Sequence, residues 1–244
     1  MATSSASTAS TSAAASQATP LVMRIIGFCA LAHLINDLIQ SVLPAIYPML
    51  KANYDLSFAQ IGLITLTFQI TASLLQPWVG FFTDRRPTPN LLPMGTLCTL
   101  VGIVMLAFVG SFPMILLASA LVGIGSSTFH PEPSRIARLA SGGRFGLAQS
   151  TFQVGGNTGS ALGPLLAAAM VIPFGQTHVA WFGLAALFFL GVTLMLRGWY
   201  KEHLNQAKAR KAVQATHGIS RNRVIAALIV LGLLVFSKYF YMAS

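Results

Sequence analysis

The sequence predicts an all-α membrane protein, and three observations carry that prediction. Six long apolar stretches follow one another, and a seventh opens near residue 223. Only 8% of the 244 residues are charged and 55% are hydrophobic, whereas a soluble domain is roughly 25% charged. The 15 Lys and Arg gather in alternate connections and form no single patch, so the net charge of +10 points away from nucleic acid as a partner. About 20 residues at 1.5 Å each cross a ~30 Å hydrocarbon core. A backbone in lipid must satisfy its own hydrogen bonds, which selects helices.

Taken in order, residues 1–20 (MATSSASTASTSAAASQATP) are Ala, Ser and Thr without Lys or Arg. They bury too little apolar surface to fold and lack the charged start of a secretory signal, so a disordered tail is expected. Spans are expected at 21–46, 58–82, 91–110, 113–138, 146–173 and 178–198, making one six-helix unit over 21–198. The first is too long for a cleaved signal and contains His33, Asn36 and Asp37, so it is read as a retained span. Met114–Phe129 and Val179–Leu196 hold no charge at all. Residues 199–222 read as a basic linker and 223–244 as the start of a seventh span, inside which the sequence stops. Cys29 and Cys98 both lie in apolar segments and imply no disulfide framework.

Thirteen of the 15 Lys and Arg lie at Arg24 or in three connections: Arg85/Arg86, Arg135/Arg138/Arg144, and Arg197 through Arg223. Lys51 falls on the other side and Lys238 inside the seventh span. The positive-inside rule then places the N-terminus and the 199–222 linker in the cytoplasm.

Polar residues inside the spans fall in stripes. His33, Asn36, Asp37 and Gln40 share one face of the first span at i, i+3, i+4 and i+7. Thr65, Gln69, Ser73 and Gln76 do so in the second, and Gln149, Gln153 and Asn157 in the fifth. Each stripe serves either as interhelical hydrogen-bond glue or as the wall of an aqueous cavity, and three of them on separate helices favour the cavity. On the fifth span Gly155, Gly159 and Gly163, followed by Pro164, form a small-residue ridge. That ridge is offset by about 200° from the Gln149 stripe, so one face can pack closely while the other lines a cavity.

His130-Pro131-Glu132-Pro133 should distort the end of the fourth span, since each proline removes a backbone donor. Glu132 sits near the interface, with Arg135 at i+3 or Arg144 as a partner, and serves either as a structural ion pair or as a proton carrier. Asp37 lies about 20 Å beyond Arg24, deep in the bilayer, where an ionisable residue is costly and marks a proton or substrate path. His33 and Asp37 also form a conceivable acid–base pair for a membrane enzyme. No nucleophile or metal-ligand set stands near them in the sequence, and neither a metal nor a cofactor is expected.

Four blocks carry a family resemblance: LAHLINDLIQSVLPAIYPML (31–50), LTFQITASLLQPWVGFFTD (66–84), GSSTFHPEPSRIARLASGGRFGLAQSTFQVGGNTG (125–159) and FSKYFYMAS (236–244). From about Ile25 to the final residue the chain is similar to the fosmidomycin-resistance efflux proteins of the major facilitator superfamily. Gly80-Phe-Phe-Thr-Asp84-Arg85-Arg86 resembles that superfamily's loop signature between the second and third spans, with Pro87 and Pro89 replacing its usual continuation. Gly159-x-x-x-Gly163-Pro164 resembles the fifth-helix signature of proton-coupled drug exporters. The fourth-helix Arg-x-x-x-Gly pattern appears instead as Ser119-x-x-x-Gly123.

The resemblance implies twelve spans in two halves, exporting a drug or small metabolite against inward proton flow across the bacterial cytoplasmic membrane. This chain would be the first half and the start of the seventh helix, with the C-terminal half as its missing partner. It is therefore expected to insert in the lipid bilayer but not to transport alone, a homodimeric half-transporter being the alternative. Proton-coupling candidates are Asp37, Glu132, His130 and His33. Substrate-cavity candidates are Asn36, Gln40, Gln69, Gln76, Gln149, Gln153, Asn157 and Lys238, the last opposite Asp37 if the first and seventh helices face each other. The gating candidates are Gly80, Asp84, Arg85, Arg135 and Arg144.

Overall fold

The computed structural model describes residues 21–214 and 220–243, and all regular structure among them is helical. Helix α1 (Met23–Ala45) ends at Pro44 and turns at Ile46 into the short α2 (Tyr47–Asn53). A reciprocal cap starts α3 (Phe58–Gln69): Ser57 Oγ accepts from the Gln60 N–H at 3.2 Å, and the Gln60 side chain accepts from the Ser57 N–H at 2.8 Å. A wide, π-type turn (Ile70–Leu74) joins α3 to α4 (Leu75–Arg85), which ends before Pro87. Helix α5 covers Leu91–Phe108 and α6 Phe112–Phe129. As Pro131 and Pro133 predict, the fourth span is interrupted at His130, and α7 (Pro131–Ala140) starts there.

Helix α8 (Phe145–Leu166) runs into a second wide turn (Ala167–Val171), and a 3₁₀ turn at Gln176–Val179 leads to α9 (Ala180–Gln214). Each wide turn is followed within three residues by a proline, Pro77 or Pro173. A proline cannot donate to the carbonyl four residues back, and widening the turn relieves that defect. The helix α10 covers Arg221–Ala243, where the sequence analysis expects the start of a seventh span; its apolar part among the described residues is the shorter Asn222–Leu234.

Among the described residues, five helical segments are long and apolar enough to cross a membrane: Met23–Ala45, Phe58–Arg85, Leu91–Phe108, Phe112–Ala140 and Gln176–Leu204. The expected fifth span, α8 with its continuation, is as long, but its Gln, Asn, Ser, Thr and Gly content makes it less apolar. Among the described residues, those up to Glu202 form one compact unit and those from His203 onward a second. Residues 199–214, read from the sequence as linker, continue the helix α9 instead. Arg197, Lys201, Glu202, Gln206, Lys208, Arg210 and Lys211 are good helix formers, and no Gly or Pro lies between Gly198 and Gln214.

Within the first unit α1 and α8 pack side by side, running parallel. A Cβ added at Gly155 would strike the Ala30 carbonyl, one at Gly159 the Leu34 carbonyl, and one at Gly163 the Ser41 side chain and Leu38 carbonyl. The glycine ridge thus meets backbone directly, the closest approach two helices can make. Helices α5 and α6 pair in the opposite sense: Gly95 meets Thr128 and Gly125, whereas Gly102 meets Ala118 and Val122. Gly123 receives Phe68 and Thr71 from the second span.

The connections alternate between two ends. At one end Tyr54 Oη lies 2.5 Å from the Val109 carbonyl oxygen and 2.9 Å from Gln176 Oε1, its one hydrogen shared between them, while Gln176 Nε2 donates to the Leu106 carbonyl at 3.0 Å. At the other, the Val22 N–H donates to the Ala140 carbonyl at 2.9 Å and Arg197 Nε to Asn90 Oδ1 at 2.5 Å. Within the first unit, the basic connections holding Arg85/Arg86 and Arg138/Arg144 share this second end with Arg197.

Candidate functional site

Midway along α1, the i, i+4 pair predicted from spacing is formed. His33 Nε2 lies 3.3 Å from Asp37 Oδ2. His33 is 3% exposed, stacked on Phe152 with ring centroids 4.0 Å apart, and its Nδ1 sits 2.8 Å from the Phe152 carbonyl oxygen. Room for this ring exists because residue 156 is glycine, where a Cβ would collide with the imidazole. The other carboxylate oxygen, Asp37 Oδ1, accepts from Asn36 Nδ2 at 3.0 Å and Gln40 Nε2 at 3.4 Å, and Ser160 Oγ of α8 approaches Oδ2 at 3.5 Å. The other three residues of the first stripe therefore converge on the Asp37 carboxylate. His130, at the α6–α7 break, meets His33 edge-on at 5.2 Å between ring centroids. His33, Asp37 and His130 each hold a ligand-type atom within 4.8 Å of the other two.

The stripe on α8 stands where the helical offset predicts, on the face opposite the buried glycines. Gln149, Gln153 and Asn157 are exposed, and Gln153 Nε2 donates to Asn157 Oδ1 at 3.1 Å. Ser134 Oγ donates to Gln149 Oε1 at 3.2 Å, beside a cavity of about 300 Å³ lined by Ser134, Arg138, Phe145, Ala148 and Gln149. The stripe thus runs from this cavity at the basic end up to Ser160 and Asp37. In the second span Ser73 Oγ donates to exposed Gln69 at 3.3 Å, and Gln76 is half-buried beyond the wide turn.

At the basic end the expected Glu132–Arg135 pair forms at 2.6 Å. The same guanidinium also reaches Asp84 Oδ1 at 2.6 Å and Thr83 Oγ1 at 3.2 Å, and Tyr200 hydrogen-bonds to it as well. Glu132 is 1% exposed, and its Oε2 has no hydrogen-bond partner. Arg135 thus clamps the second span, the fourth and α9 together. Arg85 instead stacks over Phe81, 3.6 Å from the ring centroid. Arg144 precedes α8 and is exposed, and Gly80 contributes its carbonyl to Thr83. The Lys238 side chain lies outside the described residues.

Residues 29–244 match the model of the Major Facilitator Superfamily. The chain belongs to the Major Facilitator Superfamily. It is 55% identical over 220 residues to the fosmidomycin resistance protein of Escherichia coli (strain K12), covering 90% of this chain and 54% of that one. It is 40% identical over 212 residues to the uncharacterized MFS-type transporter YfnC of Bacillus subtilis (strain 168), covering 86% and 51%. The chain spans about half the length of the curated relatives it matches. Among solved structures, a peptide transporter POT in complex with sulfate superimposes with a TM-score of 0.61 at 15% identity, covering 91% of this chain and 54% of that one. A mutant peptide transporter POT in complex with alafosfalin gives 0.58 at 17% over 91% and 51%. At such identities the likeness concerns the fold, which is the superfamily's helical bundle. The relatives are transporters of this superfamily, and the chain is a membrane-spanning member of it.

Sequence reading missed the groups that complete each cluster. The Phe152 carbonyl is a backbone atom and leaves no trace in residue type. Ser160 extends the Gln149 stripe only with a three-residue step from Asn157, so a strict i+4 rule passed over it. Thr83 and Tyr200 are ordinary helical residues until the fold brings them to Arg135.

Proposed function

We propose that the chain forms the first six-helix half of a proton-coupled exporter of small molecules, with Asp37 as the coupling carboxylate. The observation that carries this reading is the convergence of His33, Asn36, Gln40 and Ser160 on a carboxylate midway along a spanning helix. An ionisable side chain at that depth is costly unless it works, and a proton path is the use that its neighbours suit. The exposed Gln149–Gln153–Asn157 face is the proposed substrate wall, offering amides and no fixed charge to an amphiphilic or weakly anionic compound. Fosmidomycin is the first compound to test, given the name of the Escherichia coli relative.

Several finer assignments belong to the same proposal. The basic end faces the cytoplasm under the positive-inside rule. Arg135, bridging Glu132 and Asp84, is the cytoplasmic gate that parts when the cavity opens inward. Residues 21–198 are the transmembrane half and α10 begins the second half, against which the first rocks.

The test is transport by the full-length protein in proteoliposomes under an imposed pH gradient. Asp37→Asn should abolish proton-driven export while substrate still binds. If Asp37→Asn exports normally and Glu132→Gln does not, the proton role belongs to Glu132.

A further inference from the structure

Resting on the proton-coupled reading, the hydrogen bonds around His33 specify where the coupling proton sits and how it leaves. A carbonyl oxygen can only accept, so the 2.8 Å contact with Phe152 requires the hydrogen on His33 Nδ1. Nε2 then faces Asp37 Oδ2 at 3.3 Å with a lone pair, unless a second proton lies between them. Nitrogen and oxygen are both acceptors in the fully deprotonated pair, a contact that neither group's hydrogen satisfies; the His33 side chain is 4% exposed there and that of Asp37 17%. With one more proton the contact is satisfied, whether the proton resides on nitrogen or on oxygen. With its loss the ring keeps the Nδ1–H bond to Phe152, across the α1–α8 interface, and Nε2 separates from Asp37.

We propose that His33 and Asp37 hold one proton in common and that His130 is the residue through which it is exchanged with the Asp84–Arg135 end of the molecule. In the transfer the bond to the shared proton breaks at Nε2 or Oδ2 and an N–H bond forms on His130. His33 is left neutral with its Nδ1–H, Asp37 is left as carboxylate, and His130 carries the positive charge until it gives the proton onward. Two residues further along the chain Glu132 Oε2 is buried with no hydrogen-bond partner among the described residues, an acceptor for that next step.

The groups around the pair leave few other routes. Helix α8 contributes no titratable residue between Phe145 and Leu166, and α5 contributes only Cys98. The α6–α7 junction supplies His130, Glu132 and Arg135, while α4 supplies Asp84 and α9 supplies Tyr200, both at Arg135. Phe129 and Phe152 close the remaining sides of the His33 ring, with centroids at 5.8 and 4.0 Å.

The experiment is nitrogen NMR of the ¹⁵N-histidine-labelled 244-residue chain in lipid nanodiscs, reading tautomers and the solvent-exchange rate of the His33 protons. The expected result is a His33 ring always protonated on Nδ1, with a shared-proton signal on the Asp37 side. His130→Gln should slow exchange of that proton by at least about tenfold while leaving the His33 shifts in place. In the wild-type chain the exchange rate should follow the titration of His130 and of no other histidine, a reading that stands even if the variant folds poorly. A His33 protonated on Nε2 with a bare Nδ1 overturns the shared proton, and an unchanged exchange rate in folded His130→Gln overturns the relay. If Asp37→Asn abolishes coupled transport while exchange in His130→Gln is normal, the relay alone falls. If Asp37→Asn transports normally, the coupling reading falls instead.

Discussion

Arg135 shows how much one side chain can organise. Its planar fork sends one nitrogen to Glu132 and the other to Asp84 and Thr83, an arrangement that the point charge of lysine cannot reproduce. Glu132 is buried and Asp84 is not, so the first contact dominates the energetics: loss of one partner strands a buried carboxylate. Arg135→Ala should therefore lower stability by about 3 kcal/mol, measured by denaturant unfolding in detergent, and Arg135→Ala/Glu132→Gln should recover most of that loss. Asp84→Asn should cost less than about 1 kcal/mol, because the pair it breaks is largely solvated. If Asp84→Asn proves the more damaging, the Arg135 cluster is held from the second span and not from Glu132.

At the level of helices, the α1–α8 interface allows a sharper contrast. Alanine is favoured over glycine inside a helix by roughly 0.5–1 kcal/mol, because glycine loses more backbone freedom on folding. Gly27 has nothing within 4 Å of a new Cβ, so Gly27→Ala should be neutral or stabilising by about that amount. Gly159 faces the Leu34 carbonyl, which is backbone and cannot swing aside, so Gly159→Ala should destabilise by about 1–3 kcal/mol. Thermal unfolding of the two variants checks the difference in sign. This interface was largely legible in the sequence, since a four-residue glycine period and an opposing Gln/Asn stripe already assign α8 two faces. The clustering of His33, Asn36, Asp37 and Gln40 was legible for the same reason. The wide turns were not: Pro77 and Pro173 are their signals, and a period-counting argument assumes that every turn has the same width. Nor did any local pattern reveal the Arg135–Asp84 bond, which joins residues 51 apart in sequence, or the continuation of α9 past residue 198.

For the whole molecule, the alternation of connections turns orientation into a labelling experiment. In a cysteine-free background, Asn53→Cys should react with an impermeant reagent on intact cells, while Lys201→Cys should react only after the membrane is breached. The reverse pattern would invert the protein in the membrane. Because the relatives are about twice as long, the 244 residues expressed by themselves are expected to insert but not to confer drug resistance. Resistance in cells lacking a full-length homologue would favour two copies completing one cavity.

The two wide turns have a further consequence. They fall in the second and fifth spans, the middle member of each successive trio, and each accommodates one residue more than an ordinary turn. Such a helix behaves as if a single amino acid had been spliced into it, so the half beyond the splice is rotated by about 100°. Deleting Ala72 should undo that rotation and carry Thr83 and Asp84 away from Arg135, although neither residue is altered. Helix length, counted one residue at a time, thus acts as a coordinate of its own, fixing which side chains the two ends of a span show to each other.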